Sequence, residues 1–133
     1  MEHHLSFEKL VNYDAGESGI TLETTLKLSG KSVSFPAKID TGSTLCIFER
    51  QRGEELGLEI EKGLFQRIGT ATGTFVTFGF RVTLAVAGIE SDSLVYFAQD
   101  ENIRRNVLGR RGWLESVKIG LIDYEGKLYL SRY

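Results

Sequence analysis

Alternation with a period of two dominates the chain, the signature of strands with one buried face. In residues 21–28, Leu22, Thr24, Leu26 and Leu28 share one face, and Glu23, Thr25 and Lys27 share the other. After the turn-forming Ser29-Gly30-Lys31, Val33, Phe35, Ala37 and Ile39 alternate with Ser34, Pro36 and Lys38. Two such runs around a short glycine turn predict a hairpin that ends at Asp40. Pro36 has no N–H to offer a neighbour, so it predicts an unpaired side or a bulge. Strand character returns over residues 66–87, interrupted at Gly69 and Gly73, with Val82, Leu84 and Val86 alternating against Thr83, Ala85 and Ala87. A turn near Gly88 leads to a strand at 94–97, then a polar loop over 99–105 and the apolar run Asn106-Val107-Leu108-Gly109. Helical signals are few: residues 48–57 (FERQRGEELG) and a brief stretch over 110–115. Residues 119–133 predict a last hairpin turning at Glu125-Gly126.

The pattern thus predicts one mostly-β domain over residues 19–133 with two small helices. Residues 1–18 form an extension with three roles open: an added strand, a cover for an interface, or a disordered tail. A length of 133 residues fits a single domain with an ordinary core. Hydrophobic residues at 41% and charged residues at 26% are those of a soluble globular protein. A net charge of −2 gives no electrostatic reason to expect nucleic acid or an acidic membrane as partner. No apolar run approaches the roughly 20 residues a bilayer span needs, and Met1-Glu2-His3-His4 lacks the layout of a signal peptide. The single cysteine, Cys46, forms no internal disulfide and points to a reducing cytoplasm. Two adjacent histidines in a tail cannot close a metal cage, so neither metal nor other cofactor is expected.

The chemistry concentrates in "SFPAKIDTGSTLCIF", residues 34–48. One carboxylate, Asp40, stands between an apolar strand and the small residues Thr41, Gly42 and Ser43. A carboxylate there needs partners that keep it charged, or a second acid with which to share a proton. No second motif of this kind occurs; Asp123 in "LIDYEG" has a different context.

Asp40-Thr41-Gly42-Ser43 after an apolar strand resembles the catalytic loop of aspartic proteases. The order of features resembles the retropepsin family over residues 20–131: hairpin into the acid, a helix with "EELGLEI", the glycine-punctuated "IGTATGTF", then "NVLGRRGWL" before a terminal strand pair. The resemblance implies an all-β acid-protease fold, a closed or partly open barrel with a flap hairpin. It implies a homodimer, because each chain supplies one Asp-Thr-Gly and the site is built where Asp40 meets Asp40 of a second copy at a two-fold axis. The substrate implied is an extended peptide or protein. Asp40 would be the acid–base group and Thr41 would tie the two loops across the axis. Gly42 would leave room for close backbone approach. Ser43 would donate to the carboxylate and lower the pair's pKa values, giving an acidic optimum. Ile68, Gly69, Thr70, Ala71, Thr72, Gly73 and Thr74 would form the flap, Gly69 and Gly73 supplying flexibility or positive φ near its tip. Val107, Leu108, Gly109 and Arg110 would form a second loop echoing the first.

One departure stands out. Some viral members pair an acidic residue two positions after the motif's glycine with an arginine after the second loop's glycine; here the first position is Thr44, while Arg110 is present. Cys46 reads as a buried inert thiol, Trp113 as core or interface filler, and Arg104-Arg105 with Arg110-Arg111 as a solvated basic face. The alternative to an endopeptidase is a catalytically inactive module that keeps the fold to dimerise or to hold a peptide.

Overall fold

Where the sequence alternates, the chain pairs. The computed structural model describes all 133 residues. Its strands are β1 (Lys9–Asn12), β2 (Thr21–Leu28), β3 (Lys31–Ile39), β4 (Ile47–Phe48), β5 (Leu64–Thr70), β6 (Gly73–Val86), β7 (Ile89–Ala98), β8 (Val107–Leu108), β9 (Val117–Ile122) and β10 (Lys127–Arg132). The one α-helix is α1 (Arg50–Glu55).

The β2–β3 turn places Ser29 at φ 49° and Gly30 at φ 81°, and the β6–β7 turn repeats this with Ala87 at 52° and Gly88 at 79°. Two consecutive positive φ values match the right-handed twist of the strands they join. Pro36 sits in β3 without costing a ladder bond. The Lys38 N–H reaches the Asn106 carbonyl at 2.9 Å and the Asp40 N–H the Leu108 carbonyl at 3.0 Å, whereas the Ile39 N–H turns the other way to Ile20. The Pro36 nitrogen therefore faces the same side as those of Lys38 and Asp40, and β8 pairs only with Lys38 and Ile39.

Seven strands follow the order β2-β3-β8-β4-β7-β6-β5, and an added β2–β6 pairing closes the first six into a ring. This is a small barrel with β5 standing outside it. Leu26, Phe48, Leu84 and Phe97 are fully buried inside. Phe48 meets Phe35 edge-on at 5.2 Å and Phe97 at 6.2 Å. A second sheet, β1-β10-β9, joins the two ends of the chain: Lys9 pairs with Leu130 and Val11 with Leu128. Leu128 and Leu130 belong to the same cluster of 21 buried residues as the barrel interior, so the two sheets share one core. The outer edge of β9 is unpaired, and Leu121 and Ile122 at its end are 50% and 44% exposed.

Several expected boundaries shift. The helix expected over 48–57 is only Arg50–Glu55, because Ile47 and Phe48 are taken into parallel pairing with Tyr96 and Phe97 of β7. Its Gly53 is required by packing: a Cβ there would lie 2.6 Å from the Ile60 side chain and 3.0 Å from the Phe97 ring. The helix expected over 110–115 does not form. Gly112 at φ 99° turns the chain out of helical geometry, leaving a 3₁₀ turn at Leu114–Ser116. The strand expected from residue 94 starts at Ile89, paired with β6 along its whole length. Of the extension, Lys9–Asn12 form β1.

Candidate active site

β3 delivers Asp40 to the rim of the barrel. There the chain folds back on itself: the Ser43 N–H donates to the Asp40 carbonyl at 3.1 Å. The Gly42 N–H donates to Asp40 Oδ1 at 3.0 Å. The Asp40 side chain is half-buried and takes no other hydrogen bond within the chain, while Thr41 and Gly42 are exposed. A Cβ on Gly42 would sit 3.3 Å from Asp40 Oδ1, the oxygen that accepts the Gly42 N–H, and would crowd the carboxylate there.

The second loop locks this turn from behind. Besides the Asp40–Leu108 bond, the Arg110 N–H donates to the Ser43 carbonyl at 2.9 Å and the Arg111 N–H to that of Thr44 at 2.8 Å. Val107, Leu108 and Gly109 are buried. Cys46 lies in the same crossing: its Sγ accepts from the Gly109 N–H at 3.4 Å and sits 3.5 Å from the Arg111 carbonyl. Burial pushes this thiol up to about 11, the Gly109 N–H pulling back and the Glu115 charge adding to the rise. It is structural rather than nucleophilic. Asn106 makes a further clamp, accepting from the Glu49 N–H at 3.0 Å and donating to Glu49 Oε1 at 2.7 Å.

Over this floor hangs the β5–β6 hairpin. Its register pairs Ile68 with Phe75, Gly69 with Thr74 and Thr70 with Gly73, leaving Ala71-Thr72 as a two-residue tip. The Thr70 hydroxyl donates to the Gly73 carbonyl at 3.0 Å. Gly73 at φ 148° has a conformation that disfavours a side chain. Gly69 does not, and a Cβ there would meet nothing within 4 Å, so the turn itself has no need of glycine at that position. Floor and hairpin enclose a cleft of about 520 Å³. Asp40, Gly42, Ser43, Thr44, Leu45 and Ile47 line one side, and Gln66, Arg67, Ile68 and Gly69 the other, with Arg105 at the end. That volume is in the range that holds a few residues of peptide or a small molecule. A depression of about 500 Å³ beside Lys27, Lys31 and Arg81 contains none of these loops.

A sequence family described as aspartyl protease matches residues 24–112, which include both loops and the hairpin. The chain belongs to the aspartyl protease family. Among curated proteins, none matches closely enough in sequence to count as a relative. The fold is that of retropepsins. A retropepsin-like aspartic protease from Rickettsia conorii superposes with a TM-score of 0.68 at 16% identity, over 92% of this chain and 97% of that one. The EIAV protease, solved with the inhibitor HBY-793, gives 0.57 at 21% identity, over 75% of this chain and 88% of that one.

For an aspartyl protease fold, the positions of the expected site residues are informative one by one. Asp40, Gly42, Ser43, Ile68 and Gly69 share the cleft; Thr41 is exposed beside it and bonds to nothing in its own chain. Ser43 differs from expectation. Its hydroxyl donates to the Leu45 carbonyl at 2.7 Å, and with its one proton spent there it donates nothing to Asp40. Arg110 is exposed, and the ion pairs of this region belong instead to Arg104 with Glu49 and Arg111 with Glu115. Arg105, read from sequence as part of a solvated basic face, lies at the cleft. Arg67 and Asn106 were not singled out by the sequence either; the adjacency of Arg105-Asn106 to the second loop was the one available signal.

Proposed function

We propose that the chain is an aspartic endopeptidase that works as a homodimer, with one Asp40 from each copy. The observation that carries this reading is the half-built acid site. Asp40 has one backbone donor, an open side, and no second carboxylate among the residues lining its cleft. A two-fold axis beside exposed Thr41 would bring Asp40 against its twin. The unpaired β9 edge, with half-exposed Leu121 and Ile122, supports addition of a second copy there.

Two carboxylates about 3 Å apart share one proton over a wide pH range, as in aspartic proteases generally. The ionised one takes a proton from a water held between them as its oxygen bonds to the scissile carbonyl carbon. The protonated one passes its proton to the carbonyl oxygen, so that a neutral tetrahedral diol results and the pair is left with the proton taken from water. Collapse breaks the C–N bond while the leaving nitrogen is protonated from the pair. No covalent intermediate and no cofactor enters. The β5–β6 hairpin would close over an extended peptide and exclude bulk water.

The test mixes wild type with Asp40→Asn in equal amounts and follows cleavage of a peptide library alongside sedimentation. Asp40→Asn alone should lose at least about 10³-fold. Random exchange of subunits should leave about a quarter of the wild-type rate, since only pairs with two aspartates work. Half the rate would mean that each chain acts alone and would end the dimeric reading. Cleavage undiminished in the pure mutant would remove Asp40 from the mechanism, and a folded dimer that neither cleaves nor binds a statine-type inhibitor would favour the inactive module.

A further inference from the structure

We infer that Arg105, seconded by Arg67, selects an acidic side chain next to the bond that the cleft would cut. The inference rests on the proteolytic reading and adds a substrate class to it. Three charged side chains line the cleft, and two are arginines. Asp40 is the only carboxylate among them, and neither arginine has an ion-pair partner. In a two-fold pair the imbalance grows, because the two Asp40 carboxyls share a proton and carry one negative charge between them while the arginines double.

The placement of Arg105 goes beyond that of an unattached surface cation. Its guanidinium carbon lies 5.6 Å over the Phe75 ring. Phe75 pairs across the hairpin with Ile68, itself a lining residue, so this contact joins the loop before β8 to the hairpin at the end of the cleft. The ring takes none of the N–H groups, and none of them donates within the chain, so the fork that takes a carboxylate with two parallel bonds stays free. Arg67 lies 5.8 Å over the ring of Phe65, two residues before it on the same face of β5, a looser support than that of Arg105. A peptide laid along the cleft would present alternate side chains to this wall. A glutamate or aspartate there would meet a preset guanidinium. A lysine or arginine would meet like charge, and a neutral residue would leave the cations without a partner.

The experiment scans one decapeptide frame with Glu, Gln or Lys at each position. It measures kcat/KM with wild type and, separately, binding to Asp40→Asn by fluorescence anisotropy. At pH 6 one position flanking the cut should favour Glu over Gln by about tenfold in both assays, and Lys should be the poorest. At pH 4 the preference should fade as a free glutamate, with a pKa of about 4.3, protonates. Arg105→Ala should reduce the ratio to below threefold; Arg105 is exposed and leaves no cavity. Arg105→Glu should favour Lys. Equal handling of Glu and Gln at every position would overturn the inference while leaving proteolysis intact, and so would a ratio unmoved in both Arg105→Ala and Arg67→Ala. A Glu preference in binding without any cleavage would uphold the specificity and sink the catalytic reading.

Discussion

Gly109→Ala tests the crossing on which the acid loop depends. The φ of Gly109 lies outside the left-handed region, so backbone strain is not what demands glycine there. Space is. A Cβ would sit 2.2 Å from the Leu45 carbonyl oxygen, 2.6 Å from its carbon and 2.8 Å from the Ser43 carbonyl oxygen. All three are backbone atoms, so no side chain can swing aside. Ordinary contact begins at 3.4 Å, which means the two loops must part by roughly 1.2 Å. Such a shift breaks the Arg110–Ser43 and Arg111–Thr44 bonds, 2.9 and 2.8 Å long, where the two loops cross. Two lost bonds cost about 1–3 kcal/mol, and the overpacked Cβ adds about 1–3 kcal/mol. Urea unfolding with a slope check measures it directly, and peptide cleavage should fall further than the folded fraction does because Asp40 moves with Ser43. Gly69→Ala is the control: nothing stands within 4 Å of its Cβ, and stability should change by less than about 0.5 kcal/mol. A Gly109→Ala variant within about 1 kcal/mol of wild type and fully active would show that the crossing does not depend on glycine.

Ser43→Ala should leave the pH–rate profile unmoved, since the hydroxyl serves Leu45, and should cost about 1 kcal/mol in unfolding; an upward shift of the acidic limb would restore the carboxylate role. Cys46 has a folded pKa raised from 9.0 to about 11, so its contribution is complete below pH 9 and lost as pH rises toward 11. That loss amounts to about 2–3 kcal/mol, and the slope of stability across this window should flatten in Cys46→Ala. The Glu61 carboxyl is held below its ordinary range by hydrogen bonds to Arg50, at 2.6 and 2.9 Å. Its contribution is present above about pH 4.5 and lost as pH falls through the lowered value, so Glu61→Gln should make thermal stability less acid-sensitive.

Strand positions set by local alternation were readable in the sequence. Leu22, Leu26, Phe35 and Ala37 announce their burial by spacing alone, and the Asp40 motif follows at the end of β3. Residues whose structure is decided by distant partners were not readable. Glu90-Ser91-Asp92-Ser93 looks like a loop, yet β6 pairs with all four and Ser93 is buried by donating to the Gly112 carbonyl at 2.6 Å. β1 has four residues and a partner strand more than a hundred positions away, so no window of sequence contains both. Residues 110–115 have helical composition, but two bonds from Arg110 and Arg111 to the acid loop and the positive φ of Gly112 override it. Arg105 carried no local sign of its place, which depends on the approach of the hairpin to the loop before β8.

The pairing of Lys9 with Leu130 has a bearing on timing. Every residue of the acid loop and its lock lies before position 112, so the whole half-site is synthesised before the strands that complete the shared core. The sheet whose free edge would receive a twin cannot close until the segment through Arg132 has been made. On the dimeric reading, the half-site and its dock would come from different stretches of the chain, and the dock would be the later made.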